Sequence, residues 1–196
     1  MAIVLEDGRF AGDFLLRPVD ADFVELADAE IVAVDIPIGF GPREADQAAR
    51  AFLAGTASVI FPTPPRDVLE APFRPGLSVS AQAHALGPRI LHVTDLTRRD
   101  TRFREVHPEV SFRAMNGGRP LGHRKKLAAG ALRRLELLRA VGIELTALRD
   151  AGSAPLDDVL DAAAAAWSAQ RILTGAAKSL PDPPEEIDGY PVAIWY

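Results

Sequence analysis

The sequence contains no cysteine. Disulfides, thiolate zinc sites and cysteine nucleophiles are therefore excluded, and the redox compartment is left unmarked. No segment reaches the roughly 18 apolar residues that a membrane-spanning helix needs. Met1 leads straight into "AIVLEDG", without the basic stretch and apolar run of a secretory signal. The expectation is a soluble cytoplasmic protein with no membrane contact. Gly-x-Ser-x-Gly, Walker and dinucleotide-binding patterns are also missing, so serine-triad hydrolysis and P-loop chemistry have no support. The low hydrophobicity of a disordered chain is absent too. Apolar residues make up 48% of the 196 residues and the net charge is −5, enough apolar content for the core of a single domain, 1–196.

Net acidity hides an uneven distribution. Residues 98–139 hold 12 Lys and Arg against 4 Asp and Glu, a local +8, so the rest of the chain carries −13. A basic middle inside an acidic protein points to an anionic partner. The set includes Arg113, Arg119, Arg124, Lys125, Lys126, Arg133 and Arg134. Phosphate contact is its functional reading, and the solvated face of a helix is the plainer one.

The pattern predicts a hairpin with "AIVLE" turning at Asp7-Gly8 into "GDFLLRPV". Ile31–Ile36 is an apolar run expected as a strand buried on both faces, with Asp35 near its end and Pro37 stopping the pairing. Helices are expected over 43–54, from Ser80 to about Leu96 with a bend near Gly87-Pro88, over 123–141, and over 155–174. "EVHPEVSF" (105–112) alternates like a strand, "GIELTAL" reads as a short strand or loop, and "GYPVAIWY" closes the chain as a strand. Strands followed by helices indicate an α/β or mixed α+β domain.

Three groups of acids carry chemical interest. Asp35, at the end of a buried strand, needs a partner, water or a cation; it either lies where α/β sheets hold ligands or caps a turn. Asp157, Asp158 and Asp161 fall three and four apart on one helix, so two can share a face and hold Mg²⁺ or Mn²⁺; acids in a first turn also stabilise the helix dipole. The five alanines 162–166 imply close packing that holds Asp161 against the sheet. Glu105 and Glu109, if on one strand, share a face about 13 Å apart and cannot meet at one ion unless Pro108 bends the chain. His107 points the other way, as a packed or surface side chain. The glycines of "NGGRP" offer backbone N–H groups to a phosphate, without the P-loop pattern.

Together, "VDIPIGF", "FPTPPRDVL", "EVHPEVSFRAMNGGRPLGHRKK" and "DDVLDAAAAAWSA" resemble, over about residues 25–175, an uncharacterised family of predicted nucleases with an RNase H-like fold. The resemblance implies a mixed sheet flanked by helices, and three or four carboxylates gathered around two divalent ions, Mg²⁺ or Mn²⁺. Asp35 would be the strand acid, Asp158 and Asp161 the helix acids, and Glu105 or Glu109 would lie on the following strand. One ion would activate water and the other stabilise the leaving oxygen. The implied activity is metal-dependent phosphodiester hydrolysis on nucleic acid, with Arg113, Arg119, Arg124, Lys125 and Lys126 on the backbone phosphates. Family members open with a further strand ending in an aspartate and a glycine turn, ahead of a strand resembling "AIVLEDGR". The expectation here is a sheet lacking that first strand and its aspartate, through a start assigned too late, a shortened chain or a natural loss of catalysis. The alternative is an inactive RNase H-like module that binds nucleic acid.

Overall fold

In the computed structural model of the chain, residues 2–15, 29–74, 76, 79–145 and 148–196 are described. The hairpin forms as the turn residues predict: β1 (Ala2–Glu6) and β2 (Arg9–Leu15) pair antiparallel, with Asp7 at φ 49° and Gly8 at φ 76° making the turn. The apolar run yields a shorter strand than expected, β3 (Val32–Val34). Its chain then crosses over through α1 (Glu44–Phe52), α2 (Arg66–Glu70), α3 (Ala81–Ala85) and α4 (Gly87–Thr97) to β4 (Phe103–Glu105). β4 lies parallel to β3, with Val32 opposite Phe103 and Val34 opposite Glu105. Ser80 caps α3 by accepting the Ala83 N–H, and α4 starts afresh at Gly87-Pro88 after a break at Leu86, so the interruption falls where expected.

"EVHPEVSF" is not one strand. β4 stops at Glu105, and α5 (Pro108–Met115) begins three residues later. Pro108 sets the first helical turn, and the His107 ring nitrogen Nδ1 accepts the Glu109 N–H at 3.2 Å as the cap. The apparent alternation of Val106, Val110 and Phe112 instead serves one strand-end residue and a buried helix face. Glu105 and Glu109 consequently sit on different elements. α6 (Ala128–Ala140) starts five residues later than its pattern suggests, and ends at Gly142, φ 89°. "GIELTAL" shows no strand over 143–145; its remainder lies outside the described residues or in a short 3₁₀ turn at Leu148–Ala151.

The long helix α7 (Leu156–Leu173) follows Pro155 and ends before Gly175, as expected. β5 (Ser179–Ile187) and β6 (Tyr190–Trp195) form the closing antiparallel pair. β5 carries Pro181, Pro183 and Pro184 and was not expected as a strand. Its pairing skips from Leu180 to Glu185, and that irregular stretch holds the prolines outside the ladder. Among the described residues the strands make three two-stranded ladders, the last two joined by a parallel bridge between Val106 and Trp195. The protein is a mixed α/β fold.

Three apolar clusters hold these layers. α7 contributes Leu160, Ala163 and Ala164 to one with Phe112, Leu137, Leu138 and Ile143, against which Ile3 and Leu5 of β1 also pack. Ala45, Ala49, Leu53, Val110, Val192 and Ile194 join α1 to α5 and β6, and Val32, Val34, Val93 and Phe103 join β3 and β4 to α4. Each fully buried Leu or Ile contributes about 1.5–3 kcal/mol by leaving water. No described helix is long and apolar enough to cross a membrane.

Candidate functional site

β3 and β4 run parallel and end together, so the residues that follow them emerge at one edge. That edge is where parallel sheets present ligand-binding side chains. Asp35 follows β3, and His107 lies two residues beyond β4. α7 packs on β3 and β1, and the small side chains of Ala163, Ala164 and Ala165 allow a close approach. This brings Asp161 towards the strand ends, with only 14% of its side chain exposed.

Asp35 lies near enough to Asp161 for its charge to act there. Burial pushes the Asp161 carboxyl up to about 6; the bond and charge of Lys125 pull against that, and the charges of Asp35 and Glu109 add to it. Asp35 is likewise raised to about 6, by the protein closing around it, with Lys125 opposing and Glu109 reinforcing. Its own surface nevertheless remains open to water. Solvent screening then makes its raised value worth less in stability than that of Asp161.

Lys125 stands at this pair. Its ammonium is bonded to Asp161 Oδ2 and also feels the charges of Asp35 and Asp157. Burial lowers it, but these carboxylates outweigh burial and hold it above its ordinary range. Asp161 Oδ1, in contrast, is buried with no hydrogen-bond partner. Glu109 lies alongside with its carboxylate gripped by Arg134, at 2.7 Å and 2.8 Å. Arg134 is 2% exposed, stacks over Phe112, and donates to the carbonyls of Gly130 (3.0 Å) and His123 (3.3 Å). Burial lowers the His107 imidazole, with Glu109 and Asp161 opposing. It is a half-buried side chain whose ring caps α5, the packed side chain that its position suggested.

Other expected site residues go elsewhere. Glu105 belongs to a separate buried network. It receives Arg43 at 2.6 Å and 2.9 Å and the Ile38 N–H at 2.7 Å, while Arg43 also pairs with Asp46. Asp46 in turn accepts the Thr63 N–H at 2.7 Å. Both Glu105 oxygens are spent on this brace, which fastens the loop after Asp35 to α1 and β4. Gly41 sits within it because a Cβ would lie 1.7 Å from the Thr63 carbonyl oxygen. Asp158 is exposed; Asp157, one residue earlier, is the second helix acid, whose charge acts on Lys125.

The basic set also divides. Arg134 is a core brace, not a phosphate ligand. Arg113 donates to the Gly118 and Ala54 carbonyls, and Arg133 to Glu136 and Asn116. Arg119, Arg124 and Lys126 are exposed. The N–H groups of Gly117, Gly118 and Arg119 are bound by carbonyls of α5 and its cap residue Asn116, so the glycine turn closes a helix and is no phosphate cradle.

Among the described residues, no group of three or more histidine or carboxylate side chains is arranged to hold a metal ion unaided. Two carboxylates offer a start: Asp161 has a buried oxygen without a partner, and burial holds both carboxyls above their ordinary range although Lys125 opposes it. A hard dication with oxygen ligands satisfies both, with water or substrate oxygens completing its shell.

The family model described as "Protein of unknown function (DUF429)" matches residues 2–186. The chain belongs to this family. The DUF429 match spans both carboxylates, Lys125 and the Arg134 brace. No curated protein and no solved structure matches the chain.

Proposed function

We propose that this DUF429 protein is a metal-dependent phosphodiesterase acting on nucleic acid, with an RNase H-like arrangement of its strand-end and helix acids. Two observations carry the proposal: Asp35 and Asp161, 126 positions apart in the sequence, lie near enough for the charge of one to act on the other, and one Asp161 oxygen is buried with no partner. Asp35 and Asp161 would hold Mg²⁺ or Mn²⁺, with Asp157 nearby. The ion supplies Lewis acidity and a water acidified enough to attack phosphorus. Two carboxylates accommodate one ion. A second, as in two-metal hydrolysis, needs donors from the substrate phosphate.

The chain's own groups supply the rest. Glu109, fixed by Arg134, adds negative charge that favours a cation at the site. Lys125, Arg124 and Lys126 lie together on the segment before α6, where they offer positive charge to the phosphate backbone. The Arg43–Glu105–Asp46 brace holds the loop carrying Asp35 and keeps that acid in register with α7.

One observation favours a second reading. Lys125 already compensates Asp161, as in a module that binds nucleic acid without cutting it. Cleavage of single-stranded, duplex and branched DNA and RNA with Mn²⁺ separates the two. Hydrolysis predicts activity abolished by EDTA, reduced at least about 100-fold by Asp161→Asn, and largely kept by Asp158→Asn. Salt-sensitive binding unaffected by EDTA, without cleavage, supports the binding module.

A further inference from the structure

Lys125 is positioned by more than its own ion pair. The segment before α6 folds back so tightly that a Cβ on Gly130 would lie 2.0 Å from the Arg124 carbonyl oxygen and 3.1 Å from that of His123. Only glycine permits this approach. Arg134 then bonds the His123 and Gly130 carbonyls together, and its other end holds Glu109. The residue immediately before Lys125 is thus packed against a helix, and the residue before that is tied to the buried arginine bracing the acid cluster. The Lys125 side chain is one-third exposed, so its ammonium can leave Asp161 for water without unpacking the core.

We infer that Lys125 is a built-in counter-cation: its ammonium neutralises the Asp35–Asp161 pair in the free protein and competes with a divalent ion for it, so that ion binding releases Lys125 towards a substrate phosphate. Lys125 is bonded to Asp161 of α7 and feels the charges of Asp157 of α7 and Asp35 after β3; the charge of Glu109 of α5 acts on the two carboxylates. Against these acids a dication replaces one positive charge with two, and the freed ammonium gains a phosphate partner that it lacks while bonded to Asp161. Cation and phosphate therefore bind with positive coupling, and a coupling of this kind typically spans about 5–150-fold in affinity. The inference rests on the cation site proposed above.

The test is Mn²⁺ binding to the full chain, read as loss of the free-ion paramagnetic resonance signal, for wild type, Lys125→Met and Lys125→Arg. Lys125→Met should bind Mn²⁺ roughly tenfold more tightly, and Lys125→Arg should stay near wild type because the charge is kept. In the wild type, adding a short oligonucleotide should tighten Mn²⁺ binding; in Lys125→Met that enhancement should shrink. Should Lys125→Met melt well below wild type, Lys125→Gln serves in its place. Equal or weaker Mn²⁺ binding in the uncharged variant, or no Mn²⁺ binding to any of the three, overturns the inference. Tighter binding without cleavage of any nucleic acid leaves the counter-cation role standing and removes the hydrolytic function. Cleavage by wild type with unchanged Mn²⁺ affinity in Lys125→Met does the reverse.

Discussion

Replacing Asp161 by asparagine should make the protein more stable at neutral and alkaline pH, although it removes an ion pair. In the folded chain this carboxyl holds its proton up to about pH 6, against 3.8 for an ordinary aspartate. Between those values the native state binds more protons than the unfolded state, so stability falls as pH rises through the window and levels off above about 6. A displacement of that size corresponds to as much as about 3 kcal/mol at 1.36 kcal/mol per pH unit. The attraction of Lys125 is already included, since its bond and charge are among the causes of the net value. Asparagine resembles the neutral acid and never bears that cost. Lys125, one-third exposed, turns to water when its partner goes. At pH 8 the variant should gain up to about 3 kcal/mol, or about 6–12 °C in melting temperature for a chain of this size. At pH 4 the gain should fall below about 1 kcal/mol. Urea unfolding at both pH values, metal-free, measures the difference. A variant less stable than wild type at pH 8, or a gap that does not change with pH, would refute the claim that burial costs the Asp161 carboxylate more than Lys125 returns.

Arg43→Met should destabilise by about 3–5 kcal/mol, because Glu105 and Asp46 would be left buried without their cation; urea midpoints at pH 7 check it. Gly130→Ala should cost at least about 1–3 kcal/mol, since the Arg124 carbonyl must move to admit a Cβ. Amide exchange should then accelerate over residues 122–127 ahead of the rest, and uniform acceleration would count against a local clash.

Much of the architecture was legible wherever one local rule decided the outcome. Asp7-Gly8 fixed the hairpin turn, Pro155 and Gly175 bracketed α7, and the alanines after Asp161 announced the close contact that keeps this acid out of open water. "EVHPEVSF" misled because a period of two over eight residues cannot be told from a strand end running into a helix. The useful signal was His-Pro, a cap followed by a residue suited to a first helical turn. β5 was hidden by prolines that an edge strand tolerates at a pairing irregularity. Within the candidate site, Asp35 and Asp161 were identifiable one at a time. Choosing Asp158 over Asp157 depended on the angular position of α7, which the shared spacing of three and four residues leaves open. The roles of Lys125, Arg134 and Glu105 were out of reach, since each depends on a partner 25 to 62 residues away.

The central claim, that Asp35 and Asp161 form one cation site, is tested most directly by calorimetric titration of Mn²⁺ into wild type, Asp35→Asn, Asp161→Asn and the double variant. A shared site predicts that either single substitution removes nearly all of the binding and that the second removes almost nothing more. Additive losses, or binding that survives in both single variants, would show that the two carboxylates serve different places, and the proposed chemistry would lose its foundation.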